Sequence, residues 1–155
     1  MKSLVVYYSR TGNAKFVAET LAAEIGSDVE EIVDGKNRRG PIGWLNAGKD
    51  ARKGSETEIA PTKKSPAEYD LIVVGTPNWA SRITPAIRTY LKKNSLAGKK
   101  AAAFVVQDGD SPFPSDQIKS LVPEAVWVGY ISITKALKNK DETEKRIIEW
   151  SKTLG

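Results

Sequence analysis

A short polar segment, Ser9-Arg10-Thr11-Gly12-Asn13-Ala14, contains the residue types in this sequence that are best suited to bind a ligand. Two hydroxyls, an amide, a glycine and the free N–H groups that open a predicted helix come together there. A phosphate dianion needs many donors, a close backbone approach and a favourable helix dipole. An ordinary cap and turn uses the same residue types. The coincidence of four such groups after an apolar strand favours a phosphate-binding loop.

Two more segments with polar residues follow predicted strands and are candidates for the same site. They are Thr76-Pro77-Asn78-Trp79-Ala80 and Gln107-Asp108-Gly109-Asp110. In an open parallel sheet, ligands bind beyond the carboxyl ends of the strands, where the strand order reverses. The three loops are therefore expected to meet. Two plainer interpretations stay open, because aspartates are common turn residues and a tryptophan often anchors a loop to the core.

The composition excludes several kinds of chemistry. The chain has 155 residues and contains neither cysteine nor histidine, which removes thiolate nucleophiles, disulfides, Ser-His-Asp triads and Cys/His zinc sites. The formal net charge is +5, but basic residues do not alternate with aromatic ones as in a platform for single-stranded nucleic acid. We therefore expect no nucleic-acid binding and a basic surface that is solvated or faces an acidic partner protein.

Short apolar runs mark five strands. Each is too short for a helix and rich in β-branched or aromatic residues, as in parallel strands that are buried on both faces. The second run has two glutamates in its middle, which favours a position at the sheet edge. The predicted strands are Leu4–Tyr8, Val29–Val33, Leu71–Gly75, Ala101–Val106 and Val126–Ile133.

Between the predicted strands, apolar residues recur at the spacing of α-helices. The first helix is predicted from Asn13 to Ile25, with Gly26 as its stop. Three later helices are predicted to begin at Pro85, at a cap formed by Ser115 or Asp116, and at a capping box formed by Asp141 and Glu144. A short helix is placed at Trp44–Arg52, and Trp44 is expected to pack on the protein surface rather than close over the site.

The alternation of strands and helices predicts an α/β protein with a doubly wound parallel sheet and helices on both faces. No linker or repeat divides the chain, so residues 1–155 are expected to form a single domain. The sequence has no apolar run of the roughly 18 residues that a membrane helix needs and no secretory signal pattern. We expect a soluble protein in the cytoplasm that does not associate with membranes.

Three segments resemble one known family, the flavodoxins and flavodoxin-like proteins. Tyr8-Ser9-Arg10-Thr11-Gly12-Asn13 resembles the family's FMN-phosphate loop. Residues 69–79, Tyr-Asp-Leu-Ile-Val-Val-Gly-Thr-Pro-Asn-Trp, are similar to the third strand and the flavin-contacting loop, and residues 85–91 resemble the family's next segment. The element order also matches, so the resemblance spans nearly the whole chain. It implies a five-stranded sheet in the order 2-1-3-4-5 and FMN as cofactor.

The resemblance implies a role for each loop. Ser9, Thr11, Asn13 and Ala14, with the backbone around Arg10 and Gly12, would hold the phosphate. Residues 76–80 would line the isoalloxazine ring, with Trp79 as the stacking partner. Residues 107–110 would offer backbone donors and acceptors to the pyrimidine edge. No protein residue would act as a catalytic acid or base.

The sequence departs from the family pattern at four points. Ala14 stands where the phosphate loop commonly has a hydroxyl residue, which removes one donor. The second loop, Thr76 to Ile83, lacks a glycine, so a backbone flip there would cost more. The third loop has no aromatic residue, which leaves the outer flavin face open. Typical flavodoxins are acidic whereas this chain is basic, which implies a different, acidic redox partner, with Arg10, Lys15 and Arg82 near the cofactor.

The preferred functional hypothesis is an FMN-binding protein that passes electrons to or from a partner protein and is a monomer or weak dimer. One alternative is an FMN-dependent NAD(P)H:quinone-type oxidoreductase, which would use the open flavin face. A second alternative is a binding module that keeps the fold without redox activity, because a fold does not dictate its function.

Overall fold

Five parallel strands form one sheet in the computed structural model, which describes residues 1–155. They are β1 (Ser3–Tyr7), β2 (Asp28–Glu31), β3 (Leu71–Pro77), β4 (Lys100–Gln107) and β5 (Val126–Thr134). Their order across the sheet is β2-β1-β3-β4-β5, which confirms the predicted order. β1 and β3 are neighbours although β2 lies between them in sequence, so the strand order reverses between β1 and β3 and creates the switch point where ligands bind.

The central strands are buried on both faces. Every residue of β1 and β3 is buried, as are six of the eight residues of β4. β2 has a single buried residue, Glu30, and lies at an edge, as its glutamates predicted. Phe104 on β4 packs so closely over Gly75 on β3 that any side chain there would overlap the ring.

Four of the five helices cover the sheet. The helices are α1 (Asn13–Ile25), α2 (Gly40–Arg52), α3 (Pro85–Lys93), α4 (Ser115–Leu121) and α5 (Lys140–Ser151), with a 3₁₀ turn at Pro66–Glu68. α1 and α5 share one apolar core cluster through Leu21 and Ile147. α3 and α4 share the other through Ile87 and Ile118. None of the five helices combines the length and the apolar character needed to cross a lipid bilayer.

α2 belongs to neither core cluster. It lies within the segment that connects β2 to β3, and hydrogen bonds hold the two ends of this segment together. The Gly35 N–H donates to the Glu58 carbonyl at 2.7 Å, and the Ala60 N–H donates to the Val33 carbonyl at 3.0 Å. The residues that α2 buries, Gly43, Ala47 and Ala51, are all small. Packing of large apolar side chains therefore does not hold this helix in place.

A buried ion-pair network fixes α2 instead. The Arg38 guanidinium donates to Asp34 through Nε at 2.6 Å and to Asp50 through Nη1 at 2.9 Å. The side chains of Arg38 and Asp34 are only 2% and 3% exposed. Lys36 approaches Asp50 from solvent at 3.1 Å. Because Asp50 lies on α2 and Asp34 follows β2, the arginine joins the helix to the sheet.

Several predicted boundaries need correction. α2 begins at Gly40 rather than at Trp44, because Pro41 at its start supports an earlier first turn. β2 ends at Glu31, before the predicted Val33. The predicted caps are wrong: α4 starts after Pro114 and α5 after Asn139, and in neither helix does a side chain bond the first turn. The first helix has its predicted bounds, with Gly26 in the left-handed conformation at its end.

Candidate functional site

The loops after β1, β3 and β4 meet at the carboxyl ends of the strands and, with α2, enclose a cavity of about 830 Å³. Such a volume lies in the upper part of the range of about 300–1,000 Å³ that is usual for small-molecule sites. Twelve of the fifteen predicted site residues line it: Ser9, Arg10, Thr11, Asn13, Ala14, Pro77, Asn78, Trp79, Ala80, Gln107, Asp108 and Gly109.

Three predicted residues lie outside the lining of the cavity. Thr76 is fully buried within β3, where its hydroxyl bonds the Pro77 carbonyl and Thr84 Oγ1, so its side chain does not face a ligand. β3 continues two residues past Gly75 because Thr76 and Pro77 still pair with β4. Asp110 is exposed at the end of the third loop. Gly12 contributes a left-handed backbone, with φ of 98°, just before α1.

The loop after β1 presents free backbone donors. The Ser9 hydroxyl accepts the N–H groups of Gly12 and Lys15, at 3.1 and 3.2 Å, and so folds the loop around itself. Among the loop and cap bonds, the N–H groups of Thr11, Asn13 and Ala14 have no acceptor. No acidic residue lies in the first turn of α1. These groups and the helix dipole make a cradle that fits a phosphate.

The side chain of Ala14 packs in the core and offers no donor to a ligand. It is 1% exposed and packs with Val17 in the cluster between α1 and the sheet. A hydroxyl at this position would be buried among apolar groups, so the missing donor has a packing reason. Asn13 has a structural role as well, since its Oδ1 accepts the Leu137 N–H at 3.0 Å and ties the loop to the segment before α5.

The loop after β3 contains a strained turn. Trp79 and Arg82 exchange both backbone hydrogen bonds at 2.9 Å, and the two residues between them, Ala80 and Ser81, have φ of 53° and 60°. Such turns usually contain asparagine and glycine, because left-handed backbone is unfavourable for residues with a Cβ atom. The absent glycine therefore leaves strain in the loop that faces the cavity.

Gln117 on α4 holds this turn in place, although no sequence pattern pointed to it. Its Nε2 donates to the Ser81 carbonyl at 2.9 Å, and its Oε1 accepts the Ile83 N–H at 3.2 Å. The side-chain amide of Gln117 thus bonds backbone groups of the turn in the way that a neighbouring strand would. Only its position at the middle of a short amphipathic helix could have indicated an inward role.

Asn78 connects the second and third loops. Its Nδ2 donates to Gln107 Oε1 and to the Pro112 carbonyl, both at 3.0 Å, and its backbone N–H donates to the Val106 carbonyl at 2.9 Å. The Oδ1 atom of Asn78 is buried and has no partner in the protein. A buried oxygen without a donor is costly, and this one belongs to a residue that lines the cavity, so it fits a site for a ligand with N–H groups.

Trp79 has two kinds of contact in the structure, while its stacking on a flavin stays a prediction. It packs against the core cluster of α3 and α4, and it also lines the cavity. Its ring meets Tyr8 edge-on with centroids 5.6 Å apart, and the Arg38 guanidinium lies 5.8 Å from its centroid. Burial, with the nearby Asp34 charge, raises the pKa of Tyr8 to about 12. The Tyr8 hydroxyl therefore stays protonated near neutral pH.

α2 forms a wall of the cavity that was not predicted from the sequence. Trp44, Leu45, Asn46, Ala47, Gly48, Lys49, Arg52 and Lys53 all line it. The prediction that Trp44 packs on the protein surface is wrong, since the residue is 62% exposed and faces the cavity. Arg10 joins this wall to the phosphate loop, because its Nη2 donates to the carbonyl of Gly40, the first residue of α2, at 3.3 Å, and its Nε donates to the Arg38 carbonyl at 2.7 Å.

The charges around the cavity are mostly positive. Arg10, Lys49, Arg52 and Lys53 line it together with a single acidic residue, Asp108. The three cations on and just after α2 take part in no ion pair. An anionic ligand or partner would therefore be favoured at this end of the molecule.

The fold and site define a flavodoxin-like α/β protein, and comparison with known proteins gives the family. The family model described as Flavodoxin matches residues 2–154. The chain therefore belongs to the flavodoxin family, whose cofactor is FMN, bound at the β1/β3 switch point. The free donors of the first loop and the unpartnered Asn78 oxygen fit that cofactor.

Solved structures share the fold at low sequence identity. A candidate flavoprotein from Bacteroides uniformis ATCC 8492 is 22% identical, with 97% of both chains covered and a TM-score of 0.83. A flavoprotein in complex with FMN from Lactobacillus acidophilus NCFM is 22% identical, with 88% of this chain and 96% of that chain covered and a TM-score of 0.71. Oxidised flavodoxin 2 from Bacillus cereus is 18% identical, with 99% and 97% covered and a TM-score of 0.62.

Proposed function

We propose that this protein binds FMN in the cavity at the carboxyl ends of β1, β3 and β4 and passes electrons between partner molecules. The observation that carries the proposal is the meeting of three separately predicted loops around one cavity, beside α1 N–H groups that have no acceptor. When bound, FMN supplies the redox chemistry, and the protein supplies binding, orientation and electrostatics.

Each part of the cavity has a distinct task in this proposal. The N–H groups of Thr11, Asn13 and Ala14 bind the phosphate, with the start of α1 stabilising its charge. Trp79 and Trp44 supply apolar surface for the ring. Asn78 accepts a hydrogen bond at its free oxygen. No side chain is assigned a proton transfer, because the flavin itself supplies the redox chemistry.

The decisive experiment is an anaerobic reductive titration of the FMN-reconstituted protein, followed by visible spectra. NADH and NADPH are added first and dithionite second. An electron carrier is expected to bind FMN, to remain oxidised with either nicotinamide and to be reduced by dithionite. Thr11→Pro, which removes a backbone donor, should weaken FMN binding at least tenfold, while Lys93→Ala at the exposed end of α3, outside the cavity lining, should leave it unchanged.

Two results would overturn the proposal in different ways. Rapid bleaching of the flavin by NADH or NADPH would identify an FMN-dependent oxidoreductase that uses the open face of the cavity. Failure to take up FMN would identify a binding module without redox function. A cytoplasmic location and a monomeric or weakly dimeric state stay predictions, which cell fractionation and sedimentation analysis would test.

A further inference from the structure

α2 exposes large apolar side chains that have no partner within the protein. Ile42, Trp44 and Leu45 are 75%, 62% and 63% exposed, while the buried face consists of glycine and alanine. This is the reverse of an ordinary surface helix, whose large apolar residues face the core. Gly43 explains the orientation, because a Cβ there would overlap the Arg38 carbonyl group.

The same segment carries the whole net charge of the protein. Residues 36–53 hold six basic side chains and one acidic side chain, a net of +5, which equals the formal net charge of the chain. The remaining residues hold eighteen basic and eighteen acidic side chains. The single acid, Asp50, is neutralised by Arg38 and Lys36. The excess charge is thus confined to α2 and its flanks, next to the exposed apolar residues.

This surface adjoins the cofactor cavity, since Trp44, Leu45, Lys49, Arg52 and Lys53 line it. Exposed tryptophan and arginine side chains are the types most often found at the energetic centre of protein interfaces. A molecule seated on α2 would therefore cover the mouth of the cavity. A symmetric contact between two copies through α2 is disfavoured, because it would bring two basic segments together.

We propose that the exposed surface of α2 beside the cavity mouth, defined here by Arg39, Ile42, Trp44, Leu45, Lys49, Arg52 and Lys53, is the docking surface for an acidic redox protein. The proposal rests on the electron-transfer function proposed above. Each encounter passes one electron: the donor centre on the partner is oxidised by one electron, and two encounters supply the two electrons, with protons from water, that reduce the flavin fully. The basic rim attracts the partner, and the apolar side chains form the centre of the contact.

The test uses the FMN-loaded full chain and a reduced acidic [2Fe–2S] ferredoxin as probe, because plant-type centres of this class are strong reductants. Stopped-flow spectra give the bimolecular rate constant of flavin reduction. For the natural sequence we expect this constant to fall at least tenfold between about 20 mM and 500 mM salt, as for oppositely charged proteins. A rate that is independent of salt or rises with salt would overturn the proposal.

Two sets of matched variants locate the contact. Lys49→Gln/Arg52→Gln/Lys53→Gln removes three charges from the α2 face, and Lys93→Gln/Lys145→Gln/Arg146→Gln removes three exposed charges elsewhere. The first should lower the rate constant at low salt about tenfold or more, and the second less than twofold. Equal effects would show that only net charge matters and would contradict a defined docking surface.

Arg39 and Ile42 allow a test that leaves the cavity lining intact. Ile42→Ser should lower the rate constant at least threefold at all salt concentrations, and Arg39→Glu should lower it mainly at low salt.

FMN affinity and photoreduction by neutral deazaflavin are measured in every variant. If FMN affinity and photoreduction are normal and ferredoxin reacts equally with all variants, the proposal of docking at α2 is wrong while the electron-transfer function stands. Absence of FMN binding would refute the proposed function itself. Binding of α2 to phosphatidylglycerol vesicles in place of ferredoxin would identify a membrane surface as its partner and overturn the proposal.

Discussion

α1 and α2 both have thirteen residues and both border the cofactor cavity, yet they are held in opposite ways. α1 buries Val17 and Leu21 in the core, and apolar residues at helical spacing hold it against the sheet. α2 buries only glycine and alanine, and the Arg38 ion pairs attach it to the fold. One wall of the site therefore belongs to the core, whereas the other is fastened to it by a few polar contacts.

The largest effect is expected from breaking the attachment of α2. Arg38→Met should lower the free energy of unfolding, or the free energy of local opening of α2, by about 3–5 kcal/mol, because two carboxylates lose their buried partner. Urea denaturation and hydrogen exchange of the α2 amides measure the two quantities. Lys36→Met, which removes the exposed partner of Asp50, should cost less than about 1 kcal/mol. Equal losses in the two variants would contradict the role given to Arg38.

A matched pair of leucines tests the two helices directly. Leu21→Ala on α1 should lower the free energy of unfolding by about 2–5 kcal/mol, since Leu21 is fully buried. Leu45→Ala on α2 should change it by no more than about 0.5 kcal/mol, since Leu45 is 63% exposed. Both are measured by chemical denaturation of the protein without FMN, because Leu45 lines the cavity. A large loss in the second variant would mean that α2 is packed more like α1 than the structure indicates.

Two glycines within α2 report on its contact with the preceding segment. Gly43→Ala should destabilise the protein by about 1–3 kcal/mol, because the new methyl group would overlap the backbone of Arg38. Gly48→Ala should stabilise it by about 0.5–1 kcal/mol, because nothing lies within 4 Å of the added Cβ and alanine favours a helix. Thermal unfolding of both variants without FMN measures whether each substitution stabilises or destabilises the protein. The same sign for both would refute the close approach of α2 to Arg38.

Acid should loosen α2 before it affects α1. Burial acts to raise the pKa of the Asp50 carboxyl, but hydrogen bonds from Arg38 and Lys36 outweigh burial and lower that pKa below its ordinary value of 3.8. The native state therefore binds fewer protons than the unfolded state, so this contribution to stability is present above about pH 4 and is lost as the pH falls. Hydrogen exchange should show α2 amides losing protection as the pH falls below about 4, while α1 amides keep theirs. Asp50→Asn should remove this difference, and a pH dependence that survives the substitution would assign it to another group.

Much of the fold followed from short-range patterns in the sequence. The strands were predictable because Leu71 to Val74 and Ala101 to Val106 are unbroken apolar runs, and α1 because its apolar residues recur at helical spacing up to Gly26. The meeting of the three loops was predictable because parallel strands end at one edge of a sheet. What determines this part of the structure lies within a few residues of each element.

The misplaced residues depend on contacts between distant parts of the chain. The start of α2 and its position at the cavity depend on Arg38 and on the approach of Gly43, which no periodicity reveals. Thr76 was assigned to the site because β3 was expected to end at Gly75, whereas pairing with β4 extends the strand to Pro77. Gln117 supports the turn at Ser81 from a helix 36 residues away in sequence.

The two ends of the segment that carries α2 are held together, so this segment can be replaced by another without moving the rest of the fold. The chain leaves the fold after Val33 and returns at Ala60, and these two residues are hydrogen-bonded to each other. A segment inserted between two adjacent points of a surface can change in length and composition without shifting the register of the sheet. Evolution or a protein engineer can therefore alter the charge and shape of this end of the molecule while the first, second and third loops keep their place.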